Sequence, residues 1–208
     1  DGYNQRVQVI AIADGTCVRE IGNDSASPEN HRLRDPSEVA VCGQGNIYIC
    51  DGGNNRVVSY DSGGKFLWEC RSAGSTTDMK SFSGPQGIAV DRQRGRVVVA
   101  DGGNNRVCVL DTRGQSLFSF GSKGQQPGYF TCPVAVTVDE DGLIVVCEGG
   151  PNHRVQIFES DGKPLCMFGS QGTKPAQFKY PSGVAINSHG QLLVSDGDNH
   201  RIQQFGWQ

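Results

Sequence analysis

The chain has 208 residues, of which 36% are hydrophobic and 20% charged, and a net charge of −3, a balance that fits a folded globular protein rather than a disordered tail. No stretch approaches the roughly 18 apolar residues of a membrane helix, the opening Asp1 to Arg6 is polar rather than signal-like, and an acidic total gives no global attraction to phosphate. In chain order, DGYNQRVQVI at 1 gives an Asp-Gly loop and a strand over 6–10, and CVREIG gives a second strand over 17–22. After a polar loop, PSEVAV at 36 opens a complete period containing NIYIC, DGGNNRVVSY at 51 and the turn and strand GGKFLWEC. The next period is the clearest, with strands GIAVD (87–91), RVVVAD (96–101), RVCVLD (106–111) and SLFSFG (116–121). PVAVTV at 133, LIVVC, EGGPNHRVQIF at 148 and DGKPLCMFG repeat the set, and PSGVAI at 181 with DGDNHRIQQF at 196 begins it again.

Runs of five or six residues rich in Val, Ile and Phe, each bounded by Gly, Asp, Asn or Pro, are strand and turn chemistry. No window carries the apolar i, i+3, i+4, i+7 spacing of a helix. The chain is therefore expected to be all-β: one domain over 1–208 with three complete periods (36–180), partial repeats at 1–35 and 181–208, and seventeen strands. Aligned on Arg6, Arg56, Arg106, Arg154 and Arg201, the periods are 50, 50, 48 and 47 residues. Four short antiparallel strands every 40–50 residues are the pattern of a β-propeller blade. One sheet cannot bury both its faces, so neighbouring blades must supply the core. The innermost strands would be EVAVC, GIAVD, AVTVD and GVAIN, where Ala40, Ala89, Ala135 and Ala185 suit a crowded centre.

The sequence P-x-G-V/I-A-V, a strand ending in Ala-Asp or Ser-Asp, then Gly-x-Asn-His/Asn-Arg and Phe-Gly-Ser-x-Gly, resembles the NHL repeat. Its triplet stands as Asn152-His153-Arg154 and Asn199-His200-Arg201, with Asn54-Asn55-Arg56, Asn104-Asn105-Arg106 and Asn4-Gln5-Arg6 as variants. The ending is similar to the C-terminus of tripartite-motif proteins that carry such a propeller. That resemblance implies a non-catalytic recognition module of a ubiquitin ligase, cytoplasmic, with a RING and coiled coil elsewhere. It would bind a protein partner on its loop rim or, alternatively, an RNA stem-loop; no membrane, small-molecule substrate or cofactor is expected. Members of the family usually close six blades. The strand count leaves two arrangements open: a truncated six-bladed design, or a closed ring of four in which residues 17–22 complete the last blade.

The repeated Asp and Arg of DGGNNR are expected to be scaffold, the Arg pairing with the Asp that opens the loop, since an active site is usually made once. The eight cysteines include no Cys-x-x-Cys pair and mostly occupy apolar runs, such as Cys50 and Cys147, so they read as free buried thiols in a reducing compartment. The Asn23-Asp24-Ser25 sequon is too common a pattern to argue for secretion. Propeller enzymes of the lactonase kind, similar in fold, hold a metal near the axis. The corresponding strands here offer Glu38, Asp91, Asp139 and Asn187, the last three at matching turns, which is repeat chemistry; a metal-dependent hydrolase or lyase is the distant alternative. The loops leading from blade to blade (22–35, 71–84, 121–132, 169–180) vary most and are net basic. They carry Arg32, Arg34, Arg71, Lys80, Lys123, Lys174 and Lys179 against Asp24, Glu29, Asp35 and Asp78. With Tyr129 and Tyr180 in the same loops, these cations form the expected partner or RNA site, whereas Phe130 and Phe178 are expected to pack under the blades. Arg92, Arg94 and Arg96 read as a solvated turn on the opposite rim.

Overall fold

A computed structural model describes residues 1–22, 31–74 and 79–206. The sequon Asn23-Asp24-Ser25 and the loop acids Asp24, Glu29 and Asp78 lie outside the described residues. The first two strands, β1 (Val7–Ile10) and β2 (Cys17–Ile21), pair with each other. The first blade is β3 (Pro36–Val41), β4 (Ile47–Asp51), β5 (Arg56–Tyr60) and β6 (Phe66–Cys70). A short hairpin, β7 (Ser72–Ala73) and β8 (Lys80–Ser81), leads to the second blade, β9 (Pro85–Asp91), β10 (Arg96–Asp101), β11 (Arg106–Asp111) and β12 (Ser116–Phe120). The third is β13 (Pro133–Val138), β14 (Ile144–Glu148), β15 (Arg154–Phe158) and β16 (Pro164–Phe168); the fourth is β17 (Pro181–Ile186), β18 (Leu192–Asp196) and β19 (Arg201–Phe205). Strands within each blade are antiparallel and lie in chain order. No helix among the described residues is long and apolar enough to cross a membrane.

Burial follows from stacking. β4 and β14, and β10 after Arg96, are buried along their length, because each central strand has a neighbouring sheet on both sides and so carries a continuous apolar run instead of an alternation. Four cores lie between successive sheets. Val7 and Val9 of β1 pack on Ile47, Ile49, Val58 and Tyr60 of the first blade. Tyr48, Cys50 and Val57 then meet Ile88, Val97 and Val99. Val98, Val107 and Val109 meet Val136, Ile144, Val146 and Phe158, and Val145, Cys147 and Val155 meet Leu192 and Val194. Phe130 and Phe178 are completely buried under their blades, as expected.

The innermost strands touch in sequence, β3 on β9, β9 on β13 and β13 on β17. β2 pairs with β1 and not with β19, so the closed ring in which residues 17–22 complete the last blade is not the arrangement adopted. The β7–β8 hairpin lies in a loop for which no strand was expected. Its sequence has no β-branched run, and it is held from outside: Arg106 donates to the carbonyls of Ala73 (2.8 Å) and Lys80 (2.9 Å). Cys50, Cys70, Cys108 and Cys147 are buried, and burial raises each of these thiols. Cys17 and Cys166 are exposed instead, because they sit on outer strands.

Candidate functional site: an axial cavity at the loop rim

Each innermost strand starts with the same irregularity. The pairing slips by one residue between Pro36 and Val39, between Pro133 and Ala135, between Pro181 and Gly183, and opposite Ala100/Asp101 for the strand that begins at Pro85. A bulge leaves an extra residue unpaired and turns its side chain out of the sheet. The residues following the four prolines, Ser37, Gln86, Val134 and Ser182, line one cavity of about 240 Å³ together with Glu38, Ala135 and Tyr180. Ser37 reaches across to the second blade, its Oγ donating to the carbonyl of Gln86 at 2.8 Å.

Glu38 breaks the repeat. Its position is held by Gly87, Ala135 and Gly183 in the other blades, where backbones run close: a Cβ on Gly87 would lie 2.7 Å from Ala135 Cα. The carboxylate Oε2 accepts the N–H of Ile88, 2.7 Å away, on the second blade's innermost strand. Burial pushes this carboxyl from its ordinary 4.5 up to about 7, against the opposing pull of the Ile88 N–H. The folded state therefore binds a proton that the unfolded chain releases between these two values. Glu38 contributes its full share to stability below pH 4.5, and that share is lost as the pH rises through about 7. Glu38→Gln keeps an acceptor for Ile88 and removes the charge. It is expected to match the wild type in acid and to exceed it by about 2 kcal/mol in alkaline solution, after allowance for solvent screening of a partly exposed group. Denaturant unfolding at the two extremes measures the difference.

The DGGNNR loops are scaffold, as read from the sequence. Arg56 Nε donates to Asp51 (2.6 Å), Arg106 to Asp101 (2.8 Å), Arg154 to Glu148 (2.6 Å) and Arg201 to Asp196 (2.7 Å). The same carboxylates accept backbone N–H groups of the incoming loops, from Arg34, Ser83, Thr131 and Lys179. The arginines bind carbonyls of those loops at Arg32, Ala73, Tyr129 and Thr173. Each connecting loop is thereby tied to the blade it leads into, and this distributes the expected partner residues around the arc. Arg32 and Arg34, Lys123 and Tyr129, and Lys174 and Lys179 are exposed, one pair on each of three loops. Arg71 is paired with Glu69 at 2.9 Å, and Lys80 lies in β8. Of the nine, Tyr180 is the one that lines the axial cavity.

The residues proposed for an axial metal do not fit one. Asp91, Asp139 and Asn187 each spend an oxygen on their own turn, accepting N–H groups of Arg94, Leu143 and His189. Asp139 and Asn187 line a second cavity of about 640 Å³ with Arg92, Gln93 and Glu140. It lies at the strand ends away from Glu38. No cluster of three His, Cys, Asp or Glu able to hold a metal occurs among the described residues. In the Arg92 turn, Arg96 is not solvated as expected but paired with Asp91 at 2.7 Å.

Comparisons with known proteins place the fold. Solved structures similar to this chain include a streptogramin B lyase, 16% identical with a TM-score of 0.69, covering 98% of this chain and 62% of that one. A virginiamycin B lyase from Staphylococcus aureus is 16% identical with a TM-score of 0.66, covering 100% and 64%. A gluconolactonase from Xanthomonas campestris is 17% identical with a TM-score of 0.67, covering 93% and 63%. This chain spans just under two thirds of each, and at these identities the likeness is one of fold. No curated protein matches the chain. These neighbours overturn two expectations: that the domain is a non-catalytic recognition module of a tripartite-motif ubiquitin ligase binding protein or RNA on its rim, and that it is not an enzyme. The physical reason is that stacking blades around an axis builds a cavity at the axis as well as an outer rim, and the expectation read the axial residues as repeat chemistry. The NHL repeat model matches residues 33–60, 82–110, 130–158 and 178–205, together more than half of the chain, which therefore belongs to the NHL-repeat family.

Proposed function

We propose that the chain is the catalytic part of a propeller enzyme that opens a small cyclic ester, with Glu38 as its general acid–base. The observation that carries this reading is a single carboxyl with its pKa raised to about 7, set in an axial cavity at a position the other blades fill with Gly or Ala. A proton-transfer group works best with a pKa near the working pH, and perturbed carboxyls in clefts cluster at functional sites. A cavity of about 240 Å³ falls below the roughly 300–1,000 Å³ usual for drug-sized ligands, which suits a small ring. Fold neighbours named as a gluconolactonase and as lyases support chemistry that begins with a base. In the step proposed, the Glu38 carboxylate takes a proton from water and the hydroxide adds to the ester carbonyl. The ring C–O bond then breaks, and the departing alkoxide recovers the proton from Glu38. Ser37, Gln86, Ser182 and Tyr180 supply the polar wall against which the ring is oriented.

The test is the rate of acid release from a panel of five- and six-membered lactones, wild type against Glu38→Gln. Loss of about 10²–10⁴-fold in kcat/KM, with a wild-type rate that rises through pH about 7, is the expected result. Equal rates for the two proteins would refute the assignment.

A further inference from the structure

All four described joins between successive sheets use one device. The residue that closes each repeat loop is left-handed: Gln5 (φ 56), Asn55 (φ 51), Asn105 (φ 54) and His153 (φ 45). Its side chain accepts the backbone N–H of the residue before the next blade's first proline. Gln5 Oε1 takes it from Asp35 at 2.6 Å, Asn55 Oδ1 from Gly84 at 2.7 Å, Asn105 Oδ1 from Cys132 at 2.9 Å, and His153 Nδ1 from Tyr180 at 3.1 Å. The four donors are themselves left-handed, with φ of 52, 52, 55 and 53. A following proline biases a residue away from that conformation, so the bond holds a strained residue in place. Three joins use an amide oxygen, which no ordinary pH removes. The fourth uses an imidazole nitrogen, which accepts a hydrogen bond only while unprotonated.

We propose that His153 is a proton-sensitive positioning residue for the axial cavity. As neutral imidazole its Nδ1 holds the Tyr180 N–H and keeps Tyr180 at the cavity wall. As imidazolium it presents only N–H groups, meets a donor with a donor, and releases Tyr180. The charged groups of its own loop are Glu148 and Arg154, paired at 2.6 Å, with Glu148 also accepting from Thr131 and Asn152. On the fourth blade they are Lys179, whose N–H is held by Asp196 at 2.6 Å, Asp196 itself, paired with Arg201 at 2.7 Å, and the exposed Asp198, whose N–H donates to the Lys179 carbonyl at 3.0 Å. The buried carboxylates of the join are thus already engaged. This role goes beyond the Glu38 reading and does not depend on it.

The experiment is amide hydrogen exchange on the full chain, comparing Tyr180 with Cys132, whose N–H sits in the same place but is held by Asn105. The comparison runs from about pH 8 to about pH 5.5, the range over which histidine serves as a charge switch, and the ratio of the two protections cancels the common pH dependence of exchange. In the wild type the Tyr180 protection is expected to fall about three- to tenfold relative to Cys132, the worth of one hydrogen bond. His153→Asn should hold the ratio constant, since asparagine makes this bond in two other joins, and Asn105→His should transfer the pH dependence to Cys132. A wild-type ratio that does not change on acidification would overturn the proposal. So would an equal fall in wild type and His153→Asn.

Discussion

Asp51→Ala is expected to cost about 3–5 kcal/mol, a large part of the roughly 5–15 kcal/mol that keeps a domain folded. Asp51 is completely buried and holds three donors: Arg56 Nε at 2.6 Å, Asn54 Nδ2 at 2.9 Å and the Arg34 N–H at 2.7 Å. Its removal leaves a guanidinium that is 1% exposed without the carboxylate that faces its Nε, the half-exposed Glu69 being its other acidic partner among the described residues. Asp1 forms the same pair with Arg6 at 2.9 Å, but there the two side chains are 29% and 26% exposed. Asp1→Ala is expected to cost about 1 kcal/mol or less, because solvent screens the pair and then replaces it. Urea unfolding of both variants separates burial from mere proximity. Equal losses would show that the loop clamps do not draw their strength from burial.

Gly87→Ala is expected to cost about 1–3 kcal/mol as overpacking. The added methyl would sit 2.7 Å from Ala135 Cα and 3.0 Å from the Val134 carbonyl oxygen, backbone atoms of the third blade's innermost strand that cannot rotate aside. Relief requires β9 and β13 to move apart, and that widens the axial cavity which Ala135 and Val134 line. Gly43→Ala is the control. Nothing lies within 4 Å of a Cβ there and the glycine is exposed, so the change should stay within about 0.5 kcal/mol. A Gly87→Ala protein as stable as the Gly43→Ala protein would mean that the innermost strands are not in close contact.

The fold was legible because its information is local and repeated. RVVVAD and RVCVLD form β10 and β11 over the residues expected, and the carboxylate–Arg clamp recurs in all four blades, with Asp in three and Glu148 in the third. The partner site was not legible, since a charge count over loops carries no direction. The loop carbonyls at Arg32, Tyr129 and Thr173 are bound by the arginine of the following blade, and Arg71 is drawn to Glu69. The loops that carry the cations are therefore each fixed to the blade that follows. Glu38 did carry a signal. Aligned on the prolines, its column reads Glu38, Gly87, Ala135 and Gly183, so one ionisable residue stands where every other blade needs a small one. What the alignment could not supply is the bulge beside it, because a one-residue slip of register is decided by strand pairing across the blade and reverses which face a side chain takes. The link from His153 to Tyr180 was hidden for a similar reason: 27 residues separate them, and only the docking of the fourth blade on the third brings the ring nitrogen to that N–H.

A carbon-13 NMR titration of the Glu38 carboxyl, assigned by its loss in Glu38→Gln, tests the central claim most directly. A midpoint near 7 would establish a carboxyl tuned by its cavity for proton transfer at neutral pH. A midpoint near the 4.5 of an ordinary glutamate would leave Glu38 as a cap on the Ile88 N–H and nothing more.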